Sequence, residues 1–145
     1  MPEQPQYPLP ALRIAHEAAQ HIDTLTQRWI AETHVFLDRG ANIEVLEELY
    51  FDAHMMSVGV CFELTAALEA RSRPVVFTQH LITADDLIVT TQGLLGKALD
   101  EQLVSFQQFR TLTRQYATLA SAITRLLCSV DTGWHLNDGG PDGLG

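Results

Sequence analysis

The stretch FRTLTRQYATLASAITRLL, residues 109–127, decides the fold, because its apolar side chains recur every three or four positions. That spacing places one side of a helix in a core and leaves the opposite side in water. We therefore predict an amphipathic helix here, with Asp100 available as its N-cap. Its predicted core stripe is Phe109, Leu112, Tyr116, Leu119, Ile123 and Leu126. Its predicted wet side is Gln107, Thr111, Arg114, Thr118, Ser121 and Arg125.

Helical spacing also governs the chain before this stretch. Residues 10–39 predict one long helix, with Pro8 or Pro10 in its first turn and Gly40 as a left-handed C-terminal cap. A second helix is expected from about residue 43 to residue 70, ended by the sequence RSRP at 71–74. The segment 74–82 fits either a short helix or an extended connection. Thr83 and Asp86 then form a start signal for a third helix.

Four amphipathic segments without an alternating strand pattern predict an all-α fold, an antiparallel four-helix bundle. The 145 residues suffice for one domain with a core of its own. We expect an extended, proline-rich arm at 1–9, a single helical-bundle domain at 10–130, and a disordered, glycine-rich tail at 131–145. The fold class is thus a helical bundle with a disordered N-terminal arm and C-terminal tail.

Composition excludes several functions. The formal net charge is −9, which disfavours nucleic acid and anionic membrane surfaces as partners. No apolar run approaches the roughly 18 residues that cross a bilayer, and the first ten residues do not resemble a secretory signal. Cys61 and Cys128 lie in apolar helical pattern and are expected to be buried thiols. We therefore expect a cytoplasmic location.

The second predicted helix is apolar on two sides. A helical wheel places Leu46, Leu49, Ala53, Met56, Val60, Leu64 and Ala67 on an ordinary core stripe. A second apolar row, formed by Phe51, Met55, Val58 and Phe62, lies among acidic residues on the side that should face solvent. Either the helix is packed on two sides within the chain, or this row contacts another subunit. We expect the intersubunit contact, and therefore a homodimer.

The residues capable of metal or catalytic chemistry do not form a recognised motif. His54 and Cys61 share a helix face but stand seven residues apart, roughly 10.5 Å along the axis, too far to hold one zinc ion together. His16 and His21 in HEAAQH are five apart, whereas a zinc helix needs histidines four apart. The Glu-x-x-His pairs of di-iron bundles are lacking, as are nucleophile elbows and phosphate loops. We expect no cofactor and no metal, and the sequence favours a protein that is not an enzyme.

Charge is unevenly distributed between the predicted helices. Residues 44–63 contain five acids and no base, whereas residues 102–130 contain Arg110, Arg114 and Arg125 and no acid. Opposite charge is expected if helices 2 and 4 are neighbours, within a subunit or across a dimer. The alternative is two independent, solvated faces.

These observations predict a non-catalytic bundle that acts by binding protein, itself and a further partner, in an accessory, regulatory or adaptor role. One alternative is a small-molecule, haem or metal-binding bundle that uses His54 or His80 with Cys61, Met55 or Met56. A further alternative is an acidic decoy of a nucleic-acid-binding protein, motivated by the net charge.

Overall fold

The chain folds as four α-helices, seen in a computed structural model that describes residues 9–33 and 43–129. They are α1 (Leu9–Thr33), α2 (Ile43–Glu69), α3 (Pro74–Asp100) and α4 (Phe106–Ser129). The all-α prediction is confirmed. Leu9, the last residue of the predicted arm at 1–9, is the first residue of α1. The rest of that arm, the end of the first helix with its Gly40 cap, and the predicted tail lie outside the described residues.

The helices pack as an antiparallel bundle in which each helix has two main neighbours. The principal packing joins α1 to α2, α2 to α3, α3 to α4, and α4 back to α1. Antiparallel order is clear between α1 and α4, where Thr26 contacts Tyr116 and Glu32 contacts Gln108. Helices α2 and α4 therefore occupy diagonal corners. The expectation that they are neighbours is wrong within the subunit, and their opposite charges are not paired there.

The core follows the predicted stripes closely. The predicted residues of α4 are buried from Leu112 to Leu126, and Phe109 is half-buried at the end of the row. On α2 the core positions are Leu49, Ala53, Val60, Leu64 and Ala67, while Met56 is half-buried. On α1 the core positions are Leu12, Ala15, Ala19, Ile22 and Trp29, while Ala18 and Leu25 are half-buried.

Helix α3 begins ten residues earlier than the Thr83 signal predicts, since its N-cap is Arg73 and not Thr83. Arg73 is extended at φ −121° and ψ 94°, and Pro74 occupies the first helical position. Proline suits that position because it lacks the N–H that would be unsatisfied there. Thr83 lies in mid-helix, where its hydroxyl donates to the carbonyl of Gln79 at 2.9 Å. The predicted start signal was therefore wrong, and the ambiguous 74–82 segment is helical.

The end of α3 is a Schellman motif with an unusual residue at its left-handed position. The N–H of Leu103 donates to the carbonyl of Ala98 at 2.8 Å, and that of Gln102 donates to Leu99 at 3.0 Å. Gln102 has φ 61°, a conformation that most helices assign to glycine. Asp100 is thus the last residue of α3, and the expectation that it caps α4 is wrong.

Helix α4 is capped by Ser105 instead. The N–H of Gln108 donates to the Ser105 hydroxyl at 3.0 Å, while the Gln108 side-chain oxygen accepts from the N–H of Ser105 at 3.4 Å. This reciprocal pair is a capping box. The same connection is fixed to α1 by Trp29, whose indole N–H donates to the carbonyl of Leu103 at 2.9 Å. The α3–α4 connection is therefore held at both of its ends.

Candidate interaction surface

Helix α2 is fixed to α1 by polar contacts. The Ser57 hydroxyl donates to Oδ1 of Asp23 at 2.5 Å. About two turns nearer the N-terminus of α1, Nε2 of His16 lies 2.8 Å from the Thr65 hydroxyl. Ser57 is itself buried, so its hydroxyl needs the partner that Asp23 provides. These contacts set the orientation of one flank of α2.

The other flank of α2 packs closely against α3. Nδ1 of His80 lies 2.7 Å from Oε1 of Glu63, forming an ion pair when the imidazole is protonated. Gly59 lies beside Leu87: a Cβ added at Gly59 would stand 3.0 Å from Cδ1 of that leucine. Because α2 is held on both flanks and buried along its core side, only its outer face is left to meet a partner.

That outer face carries the predicted apolar row, which we call the α2 strip: Phe51, Met55, Val58 and Phe62. All four are exposed in the subunit; the two phenylalanines, at 64% and 66%, are the most exposed. Residues 9–33 and 43–129 therefore do not cover the row. The strip lies on the far side of the helix from Ala53, Val60 and Leu64, which are buried. Large exposed apolar side chains in contiguous rows mark interaction sites.

The beginning of α2 is negatively charged and open to solvent. Glu47 and Glu48 are exposed and precede the strip by one turn. Within the described residues, the one ion pair formed by an α2 acid is that of Glu63 with His80. Any partner of the strip therefore also encounters this acidic end.

A second apolar row, which the sequence reasoning missed, lies on α3. Val75, Ile82 and Val89 recur every seven residues and are exposed. The strict seven-residue interval was visible in the sequence and is the signal that could have identified them. The row has one member every two turns, so it is sparser than the α2 strip, whose members follow at intervals of four, three and four.

The residues considered as possible ligands lie apart. His54 is exposed, Cys61 is half-buried on the side of α2 near Asp23, and His80 pairs with Glu63 between α2 and α3. In the part of the chain that the structure describes, no three histidine, cysteine or acidic side chains come close enough to hold a metal ion. Cys128 is exposed, so the expectation that both thiols are buried is wrong.

A polar cluster inside the bundle joins three helices. Its members are Asp23 and Thr26 of α1, Ser57 and Cys61 of α2, and Tyr116 of α4. Burial, with a smaller contribution from the negative charge of Asp23, raises the pKa of the Cys61 thiol to about 11. Burial likewise raises the pKa of Tyr116 to about 12, although its hydroxyl lies 2.9 Å from that of Thr26. A cysteine with a raised pKa holds little thiolate, so Cys61 is a poor nucleophile. We therefore interpret the cluster as structural: its contacts link α1 to α2 and to α4.

Comparison with protein-family models, with curated proteins and with solved structures finds no match to this chain. Within residues 9–33 and 43–129, none of the helices is both long enough and apolar enough to cross a lipid bilayer.

Proposed function

We propose that this protein acts through protein–protein contact, in an accessory, regulatory or adaptor role, and that it forms a homodimer through the α2 strip. The observation that carries the proposal is the exposure of four large apolar side chains on a helix whose other sides are already packed. Burying each would contribute about 1.5–3 kcal/mol.

The spacing of the strip supports self-association. Intervals of four, three and four residues give the seam of a coiled coil, in which side chains of one helix enter spaces on another. In a two-fold symmetric dimer the same surface meets itself. An antiparallel pairing centred between residues 56 and 57 places Phe51 of one copy opposite Phe62 of the other. It also places Met55 opposite Val58, so every member of the strip meets an apolar side chain.

Charge favours the antiparallel orientation. A parallel pairing would set the exposed Glu47 and Glu48 of one copy beside those of the other. In the antiparallel pairing the two Glu48 residues are about 25 Å apart along the helix axis, at a rise of 1.5 Å per residue. That separation exceeds the Debye length of about 8 Å at physiological ionic strength. The antiparallel orientation therefore separates Glu47 and Glu48 of one copy from those of the other, although it brings the exposed Glu69 of each copy within about 6 Å, along the axis, of Glu48 in the other copy.

The size of the strip sets the expected affinity. The four phenylalanine rings of a dimer would bury on the order of 600 Å² between them. Met55, Val58 and the flanking positions add to this, so the total falls near the lower end of specific interfaces, which begin at roughly 1,200 Å². We expect a dissociation constant in the micromolar range, because area of this size leaves a small surplus over the cost of association.

The test compares matched pairs of substitutions on the two exposed apolar rows. Phe51→Gln with Phe62→Gln removes the strip, and Val75→Gln with Val89→Gln makes the same change of character on α3. Sedimentation velocity from about 1 to 300 μM should show a monomer–dimer equilibrium for the wild type and the α3 variant. The strip variant should remain monomeric with an unchanged helical circular dichroism spectrum.

Two results would contradict the proposal. If the wild-type protein is monomeric at 300 μM, the strip does not form a homodimer. Loss of the dimer in the α3 variant, with the strip variant unaffected, would assign the contact to the other row. A further protein partner, the acidic-decoy alternative and the cytoplasmic location remain predictions of the sequence.

A further inference from the structure

A groove runs between α1 and α4, away from the α2 strip. Near the beginning of α4 it contains an open depression of about 180 Å³, lined by Leu25 and by the nearly buried Trp29 and Leu112. An adjoining cavity of about 280 Å³ continues over α4. Both are lined by Gln107 and Thr111, so the two adjoin at these residues, and we refer to them together as the depression.

The rim of this depression is basic, although the protein as a whole is acidic. Arg28 lines the first cavity, and Arg110 and Arg114 line the second. The formal net charge is −9, so three arginines on two adjoining parts of the surface are a local excess of positive charge. Across the described residues, none of the three forms an ion pair with a carboxylate. Glu32, the acid at this end of α1, accepts a hydrogen bond from the Gln108 amide instead.

Part of the rim is already ordered. The Arg110 guanidinium lies 5.8 Å from the centre of the Phe106 ring, in a cation–π contact. A guanidinium held in this way loses less conformational freedom when it binds an anion. Gln107 and Thr111 add an amide and a hydroxyl that can donate hydrogen bonds beside the arginines. The depression thus combines an apolar floor with a rim rich in donors and positive charge.

We infer that this depression binds a small organic anion, one that joins a carboxylate, sulfonate or phosphate group to an apolar body. The negative group is held by the arginines of the rim, with bidentate hydrogen bonds available from each guanidinium. The apolar body lies on Leu25, Trp29 and Leu112. The inference is independent of the proposed homodimer, because α4 and α2 occupy diagonal corners of the bundle.

The probe is 8-anilinonaphthalene-1-sulfonate, an aromatic sulfonate, compared with N-phenyl-1-naphthylamine, its uncharged analogue. Fluorescence titrations use the full chain with Arg28→Gln and with the pair Arg110→Gln and Arg114→Gln. The control is Arg125→Gln, which changes the same charge on α4 beside a separate cavity at the opposite end of the groove. All of these arginines are exposed, so the substitutions leave the core intact.

We expect the sulfonate to bind the wild type at least tenfold more tightly than it binds the Arg110/Arg114 variant. Arg28→Gln should weaken binding at least threefold, and Arg125→Gln should change it less than twofold. The uncharged analogue should bind all variants alike. Raising the salt concentration from 50 to 500 mM should weaken the sulfonate only where the arginines are present.

Three outcomes would overturn the inference. Equal sulfonate affinity in wild type and arginine variants would show that the rim does not recognise the anion. A loss confined to Arg125→Gln would place the anion at the other end of the groove. A loss confined to the Phe51→Gln and Phe62→Gln variant would place the probe on the α2 strip, which leaves the proposed interaction surface standing and removes the anion site.

Discussion

At the scale of single residues, Gln102 has a positive φ angle although it is not a glycine. Its φ of 61° is left-handed, a region in which a Cβ approaches the following carbonyl oxygen. The hydrogen bonds of the Schellman motif require this conformation, and the burial of Leu103 holds the motif in place. The chain therefore accepts a local cost in order to turn from α3 into α4.

Replacing Gln102 with glycine should remove that cost. We expect the free energy of unfolding to rise by about 0.5–1 kcal/mol, because glycine adopts positive φ without a steric penalty. Urea denaturation followed by circular dichroism measures it. Glu101→Gly is the matched control: Glu101 has φ −88°, so glycine there should lower stability. A decrease for both variants would mean that Gln102 contributes something other than its backbone conformation.

At the scale of helices, the sequence predicts interiors better than ends. The predicted core stripe from Leu112 to Leu126 is confirmed. Its apolar residues recur every three or four positions because those positions face the core of the bundle. The beginning of α3 was missed because a threonine followed three residues later by an acid looks the same in mid-helix. In the folded chain the Thr83 hydroxyl serves the preceding turn. Proline at 74 was the more informative signal, since within a helix its missing N–H is tolerated only in the first turn.

The capping of α4 gives a prediction at this scale. Ser105→Ala should lower the free energy of unfolding by about 1 kcal/mol, because the N–H of Gln108 loses its acceptor. Asp100→Ala is the control, since Asp100 ends α3 and does not cap α4. An acid at a helix C-terminus opposes the helix dipole, so that substitution should be neutral or slightly stabilising. Thermal melts of both variants decide which residue is the cap.

At the scale of the whole molecule, the candidate sites differ in whether their residues come from one helix or from two. The α2 strip could be predicted from the sequence because its members lie within three turns of one helix. The arginine-rimmed depression could not, since it joins Arg28 of α1 to residues of α4 about eighty positions later. The contact between Ser57 and Asp23 is of the same kind. Pairing of this sort depends on helix order and register, which periodicity does not specify.

The polar cluster predicts how the bundle responds to alkaline pH. Folding raises the pKa of Cys61 from 9.0 to about 11 and that of Tyr116 from 10.0 to about 12. Above the lower value of each pair the unfolded chain loses a proton that the folded chain keeps, so the unfolded state is favoured. Stability should therefore be complete below about pH 9 and fall as the pH rises towards 12.

Tyr116→Phe isolates the tyrosine contribution. Between pH 10 and 12 the wild type should lose stability on the order of 2 kcal/mol more than the variant, because phenylalanine has no proton to release. Urea denaturation at pH 8 and at pH 11.5 measures the difference. Absorbance at 295 nm should show one tyrosinate that forms near pH 12 in the wild type and is missing from the variant. Parallel losses in both proteins would show that Tyr116 does not titrate differently on folding.

Because α2 has one buried and one exposed apolar side, and we propose that the exposed side binds protein, libraries of variants should give two different tolerance maps of the same helix. Selection for soluble expression alone would accept glutamine or serine at positions 51, 55, 58 and 62 and reject them at 49, 53, 60 and 64. Selection for the activity of the protein in living cells would reject glutamine and serine at both sets of positions. The positions that differ between the two maps would outline the surface on which natural selection acts for activity alone.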